Sequence, residues 1–486
     1  MSEVRVEEGS VSTRLVMAVV AAAVFVSVLQ QTFVNVVVPD IGQQFGASQG
    51  QVGWVITGYM LVFAVGIPLY GRVADLYSLR LTFSLGLLGL AAGSLVCAFA
   101  PSLTLLVAGR ILQAAGAAAI PALGFASIAK LLPPGERGTA LGLLSSSVGV
   151  GAAIGPVAGG FIAGAAGWQS LFFVTLGLSL LLAFGAWRVL PDAVSDHPAA
   201  PDNILEAIHH FDVPGGLLLA FAAGLALFGV TEGQVLGFAS PVTWGSLSLA
   251  LLAGVGFVWR IRSAPEPFVS PAVFRNPAFI GAVAVGFFMM FANVGTLVLA
   301  PFLLSEVNGL SAAGIGLVLA PGAAAVAILS PVAGRLSDRF GPRALIRTGL
   351  VVMLLSTAGL STVWAGAPAI LVTLGVLGLG VGFSFANSPT ANAAAATLAP
   401  EESGVGLGIF QLIFFLGGGF GPAVAATFLA FQQEAGGSAI NPLYTLEAAH
   451  FSDAFLLIAL SATVALVATF GIEQRSKKAA KETTDA

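Results

Sequence analysis

Three side chains stand out for the chemistry their surroundings allow. Arg110, in LLVAGRILQAAGAAA (105–119), is a cation inside an otherwise apolar run. A guanidinium facing lipid costs several kcal/mol, so it must face a polar interior or a water-filled cavity. There it could hold an anionic group, or simply tie helices together through their carbonyls. Gln113 follows three residues on, on the same helical face. The other two are carboxylates in a loop that occurs twice, Asp75 in GRVADLYSLR (71–80) and Asp338 in GRLSDRFGPR (334–343). Each can cap the N-terminus of the following helix or pair with an Arg of another helix. Such a contact exists in only one relative position of the parts it joins, so it can bias a two-state equilibrium. One copy alone would read equally well as a solvated basic turn. The recurrence makes Gly71, Asp75, Arg80, Gly334, Asp338 and Arg343 candidates for a conformational switch.

The elements that carry these residues follow from composition. Of 486 residues, 57 % are hydrophobic and 9 % charged, against about 25 % charged in soluble proteins. The mean hydropathy is +0.96. No water-facing shell could cover that much apolar surface, which excludes soluble, disordered and nucleic-acid-binding classes. The net charge of -4 carries little information, because placement outweighs the sum in a membrane protein. A bilayer core of about 30 Å needs about 20 apolar residues as helix. Fourteen runs qualify: 15–38, 52–70, 81–99, 103–129, 138–164, 168–188, 213–230, 243–260, 277–304, 311–334, 344–364, 368–398, 404–430 and 451–471. Continuous apolar stretches such as 81–99 exclude the alternation of a barrel strand. The first run is too long for a signal peptide and is kept as a span.

Basic residues set the orientation. With both termini on one side, 18 of the 19 Lys and Arg fall on that side, from Arg5 and Arg14 to Lys478 and Lys481, and the remaining one is Arg110. This predicts cytoplasmic termini in a plasma-type membrane. The chain also repeats. Gly71 to Asp75 recurs 263 residues later as Gly334 to Asp338, and Gly151-x-x-x-Gly155-Pro156 recurs 266 residues later as Gly417-x-x-x-Gly421-Pro422. Two concordant offsets imply a duplicated unit. The expected fold is an all-α membrane protein of fourteen helices in a 6+2+6 plan. Its parts are a six-helix bundle (1–188), a linker with two inserted helices (189–265), a second six-helix bundle (266–473) and a tail (474–486). The polar stretch 189–212 reads as a surface linker with an amphipathic turn.

Within the spans, Gly151, Gly155 and Gly159 lie along one face of the fifth helix and Pro156 weakens its backbone bonding. That suits a helix that slides or bends against a neighbour, and packing alone would explain it nearly as well. Amides are costly against lipid, so Gln30, Gln31, Asn35, Asn293, Asn387, Asn392 and Gln411 are expected to point inward. With Arg110 and Gln113 they form the candidate substrate site, and Tyr59, Phe63, Phe291, Phe383 and Phe414 could supply an apolar wall. Asp40, near an outer helix end, is the best-placed titratable candidate for a proton site. Catalysis has no support: His197, His209, His210 and His450 all lie outside span centres, no Lys lies within a span, and Cys97 stands alone. No cofactor or metal is expected.

The GRVADLYSLR loop, the segment from Arg110 to Gly116, Gly155-Pro156-x-x-Gly159-Gly160 and LQQTFVNVVVPDIGQQF (29–45) together resemble the major facilitator superfamily. His210-Phe211-Asp212-x-x-Gly215, Pro267-Phe268-Val269 and Asn276-Pro277-x-Phe279 are similar to its fourteen-helix drug:proton antiporters, especially tetracycline and multidrug exporters. The likeness covers essentially the whole chain. It implies two bundles rocking about a central site, a loop motif that steadies one state, and an intramembrane Arg that takes part in proton coupling. The chain departs from the pattern at Gln30, where the family usually has Asp, and at Ala152 and around Gly418, where relatives carry acids. Leu76, Ser78 and Leu79 also differ from the loop motif. The expectation is a monomeric secondary transporter that exports small amphiphilic, drug-like compounds by alternating access in exchange for protons. A cavity with one Arg and no carboxylate should favour neutral, zwitterionic or anionic cargo over lipophilic cations. The alternatives are an uncoupled facilitator, a lipid or organic-anion exporter on the same fold, and a sensor that binds without transporting.

Overall fold

In the computed structural model, residues 13–47, 49–191, 211–399, 402–435 and 439–473 are described. The linker turn expected within 189–212 and the basic residues of both termini therefore lie largely outside the described residues. Among the described residues, fourteen helices are long and apolar enough to span a bilayer. They are α1 (Thr13–Phe45), α2 (Gln49–Leu76), α3 (Leu79–Ala98), α4 (Leu103–Leu131), α5 (Pro134–Ala166), α6 (Gln169–Val189) and α7 (Val213–Leu236). The others are α8 (Pro241–Ser263), α9 (Pro277–Glu306), α10 (Ala312–Phe340), α11 (Pro342–Trp364), α12 (Ala369–Ala395), α13 (Ser403–Ala435) and α14 (Ala449–Ala468). Several outrun their apolar runs. α1 continues through Pro39, Asp40 and Gln43, because hydropathy marks the lipid-facing stretch while the helix goes on into polar residues.

Local sequence accounts for the ends and breaks. Ser78, Ser102 and Ser311 cap α3, α4 and α10 by accepting a first-turn N–H. Pro277 opens α9 behind the Asn276 cap. α4 breaks at Ala118 into Leu103–Ala117 and Ala119–Leu131, three residues before Pro121, which has no N–H to donate to the Ala117 carbonyl. α11 ends in a π turn over Leu360–Trp364.

Packing follows the repeat. α1 lies on α5 and α6 as α9 lies on α13 and α14, and α3 meets α4 and α6 as α11 meets α12 and α14. The first six helices meet the last six along two seams, α5 with α10 and α2 with α13. α7 and α8 pair with each other, and α7 lies against both α2 and α13. The loops after α2, α4, α8 and α10 bring Arg72, Arg80, Lys130, Arg137, Arg262 and Arg335 to one end of the bundle, called here the basic face.

Candidate functional site

At the basic face the two carboxylates reach across the seams. Asp75, at the end of α2 and 3 % exposed, accepts the backbone N–H groups of Gly404 (2.9 Å) and Val405 (2.8 Å) in the first turn of α13. It also pairs with Lys130 Nζ at 3.0 Å, and the same ammonium donates to the Ala74 carbonyl at 2.7 Å. First-turn N–H groups have no partner within their own helix and lie at the positive end of its dipole, so a carboxylate there is doubly favoured. Asp338, at the end of α10, accepts the N–H groups of Gly138 and Thr139, each at 2.7 Å, near the start of α5. Thr139 Oγ1 donates to it as well, at 2.7 Å. Each six-helix half therefore holds two main-chain N–H groups of the other, in the first turn of α13 and in the second turn of α5. The cap foreseen for Asp75 was the start of the following helix, α3; the structure gives that place to Ser78 and sets Asp75 on the start of α13 in the opposite half, with Lys130 beside it.

Glycines make these approaches possible. A Cβ at Gly71 would overlap the Gly404 carbonyl, and one at Gly334 would overlap the Gly138 carbonyl. The seams thus close backbone against backbone. Ser146 Oγ donates to the Ala327 carbonyl at 2.6 Å, and Ser388 Oγ to the Gly138 carbonyl at 3.1 Å. Lys130, Gly138, Thr139, Gly404 and Val405 were not singled out from sequence, because most of their contribution comes from main-chain atoms. One signal was present: Gly138 and Gly404 stand 266 residues apart, the offset that relates Gly155 to Gly421.

Above this closure, between the halves, lies a cavity of about 500 Å³. Gln31, Asn35, Asn387 and Gln411 line it, as expected, with Phe63, Phe383 and Phe414. Phe125, Phe415, Met60 and Met290 complete the apolar wall, and Ser27, Thr32 and Ser145 add hydroxyls. Asn387 Nδ2 donates to Ser145 Oγ across the seam at 3.2 Å. No charged residue lines the cavity among the described residues. Of the three positions where the resemblance implies an acid, Ala152 and Gly418 are in its wall and Gln30 is not.

Arg110, Gln30 and Gln113 are brought together but lie outside that lining, in the interior of the first half. Arg110 is 1 % exposed. It donates to the Val55 carbonyl (3.1 Å), Gln30 Oε1 (2.9 Å) and Gln113 Oε1 (2.5 Å), and its guanidinium lies 4.1 Å from the Tyr59 ring centroid. Gln30 Nε2 donates to the Tyr59 hydroxyl at 2.6 Å and Gln113 Nε2 to Ser94 Oγ at 2.7 Å. A neutral amide thus occupies the place of the family's Asp, and carbonyls with a ring face stabilise the cation. The Tyr59 hydroxyl also interacts with Ser27, so the network ends on the cavity wall. Asn293 and Asn392 are buried away from the lining, as is Phe291. They satisfy the inward rule by facing packed helices instead of the cavity.

The remaining candidates act within one half. Arg80 Nε donates to the Leu190 carbonyl at 2.7 Å, just beyond α6, and Arg343 donates to the Ile472 carbonyl at 3.2 Å, just beyond α14. Each of these two bonds ties its loop to the end of the last helix of its own half. On α5, a Cβ at Gly155 would overlap Thr32 and one at Gly159 would overlap Phe33, while Gly151 faces Val28. These glycines and Pro156 set α5 against α1, inside the first half. Asp40 is exposed at the opposite end of α1, outside the cavity lining.

The profile described as Major Facilitator Superfamily matches residues 20–422. The chain is similar to the multidrug resistance protein Stp of Mycobacterium tuberculosis (strain CDC 1551 / Oshkosh), 31 % identical over 84 % of this chain and 74 % of that one. It is also similar to the riboflavin transporter RibZ of Clostridioides difficile (strain 630), 27 % identical over 86 % and 90 %. Among solved structures, the human organic anion transporter MFSD10 (TETRAN) superposes with a TM-score of 0.66 over 95 % of this chain and 99 % of that one. At 15 % identity that likeness concerns the fold. With two repeated six-helix halves closed on a central cavity and a family match over most of its length, the chain belongs to the major facilitator superfamily and is a multi-pass membrane transporter.

Proposed function

We propose that the protein exports small, uncharged amphiphilic compounds of drug-like size by alternating access. The observation that carries this reading is the pair of reciprocal clasps, Asp75 on α13 and Asp338 on α5, beneath an uncharged cavity of about 500 Å³. The units that move are the bundles 1–188 and 266–473, with the basic face cytoplasmic by the positive-inside rule in the plasma membrane. The clasped arrangement is then the state closed to the cytoplasm. Breaking both clasps lets the halves rock and opens the cavity at the basic face, toward the cytoplasm. Similarity to a multidrug resistance protein and to a riboflavin transporter supports a small organic cargo. The charge inventory sharpens the class. Because Arg110 sits behind the wall, the lining offers neither a cation nor an anion, and neutral cargo is preferred to anionic as well as to cationic compounds.

In this reading cargo leaves in exchange for protons, with Arg110 and its Tyr59 network, or Asp40 at the outer mouth, as the coupling groups. A second reading, transport without proton exchange, is favoured by one observation: among the described residues no Asp, Glu or His lines the cavity. Efflux from proteoliposomes of Nile red (neutral), ethidium (cation) and fluorescein (anion), with and without an imposed pH gradient, tests both. Export of the neutral dye above the other two supports the cargo class, and strong export of ethidium alone refutes it. A rate that follows the gradient supports exchange, and one that ignores it establishes the uncoupled reading.

A further inference from the structure

The inserted helix α7 belongs to neither repeated half, yet it reaches the cavity. Leu227, halfway along it, is part of the lining, beside Met60 and Ala64 of α2 and Gly418 and Gly419 of α13. α7 is wedged into the α2–α13 seam. Ala223 packs in one small cluster with Ala64 and Leu412, and a Cβ at Gly224 would sit 3.4 Å from Val65. Gly419 is matched to Leu227: a Cβ there would come within 2.7 Å of a Leu227 methyl.

The helix is held at its start and at its middle. At the basic face Asp212 caps α7 through Gly215 N–H (3.3 Å) and holds Arg260 of α8 (2.9 Å) and the Phe268 N–H (2.8 Å), with Phe211 packed on Phe268. Next to Leu227, Phe228 meets Trp54 of α2, ring centroids 5.8 Å apart. The repeat supplies an internal control. Ala153, 266 residues before Gly419, is exposed, and among the described residues neither α7 nor α8 packs on the α5–α10 seam.

We propose that α7 is a wall of the cargo cavity and that Leu227 is a specificity-determining residue, which sets how large a neutral aromatic cargo fits against Gly419. This rests on the transport reading above. A branched aliphatic side chain from a fixed helix ends the cavity on the α2–α13 side, so its volume subtracts from the space left for cargo. Removing it lengthens the cavity toward α7, and enlarging it shortens the cavity.

The test uses the full-length protein in proteoliposomes with two neutral dyes, N-phenyl-1-naphthylamine (small) and Nile red (larger). Leu227→Trp should raise KM for Nile red about tenfold while changing KM for the small dye less than about twofold. Leu227→Ala should narrow the KM ratio between the dyes, and Phe221→Ala, on the exposed side of the same helix, should leave it unchanged. Leu227→Cys in a Cys97→Ser background supplies a readout independent of turnover, since saturating Nile red should slow its maleimide labelling. Unchanged KM ratios in both Leu227 variants, or labelling at the same rate with and without dye, would overturn the proposal. If wild type moves neither dye, the transport reading fails instead, and the labelling experiment still reports whether Leu227 lines the occupied cavity.

Discussion

The two clasps share one geometry and differ in what surrounds it. Asp75 is buried to 3 % and takes its third contact from the Lys130 ammonium, whereas Asp338 is half-buried and takes its third from the Thr139 hydroxyl. A carboxylate withdrawn from water must be paired, and a partly hydrated one need only be hydrogen-bonded. The difference shows that duplication preserved the cross-seam contact, a carboxylate on two main-chain N–H groups, while each copy acquired its own support. It also makes the clasps unequal. The α2–α13 clasp depends on its charge, and the α5–α10 clasp shares the load with water and a hydroxyl.

This inequality is measurable as the balance between states closed and open at the basic face, read by distances between spin labels at the exposed positions Arg188 and Arg275. Asp75→Ala should have the largest effect, about 3 kcal/mol toward the open state, because it strands Lys130 and two N–H groups together. Asp338→Ala should cost about half as much, and equal effects would break the comparison. Next come the glycines, which both seams need alike. Gly404→Ala and Gly138→Ala should each disfavour closure by about 2 kcal/mol, since each new methyl meets backbone. A difference between them of more than about 1 kcal/mol would mean that the seams are not packed equivalently. The smallest pair sharpens the contrast most finely. Lys130→Met should weaken closure by about 1.5 kcal/mol and Thr139→Val by about 1 kcal/mol. High salt should reduce the first effect more than the second.

Much of this was legible in sequence for reasons of length and placement. Twenty-residue apolar runs fix the spans, and the repeated G-R-x-x-D loop marks Asp75 and Asp338 as a pair. Their partners were not legible, because an amide N–H carries no side-chain signature; only the equal offset from Gly138 to Gly404 hints at them. The amides turn away from lipid as expected, but only some of them line the cavity. Gln31, Asn35, Asn387 and Gln411 reach the cavity, but Gln30 and Gln113 bond Arg110 inside one half. Polarity predicts which side chains avoid lipid and leaves open whether water, cargo or another side chain receives them. The same ambiguity governs Arg110, whose cost of burial could be met by a cavity or, as here, by carbonyls and the Tyr59 ring.

The central claim is that transport requires the halves to close reciprocally at the basic face. The most direct measurement is Nile red efflux from proteoliposomes by the Asp75→Ala/Asp338→Ala double variant, compared with wild type and with dye binding measured in parallel. The account predicts efflux reduced at least about tenfold with a Kd within about twofold of wild type, since the clasps lie below the cavity and shift only the equilibrium between states. Wild-type efflux by the double variant would contradict it.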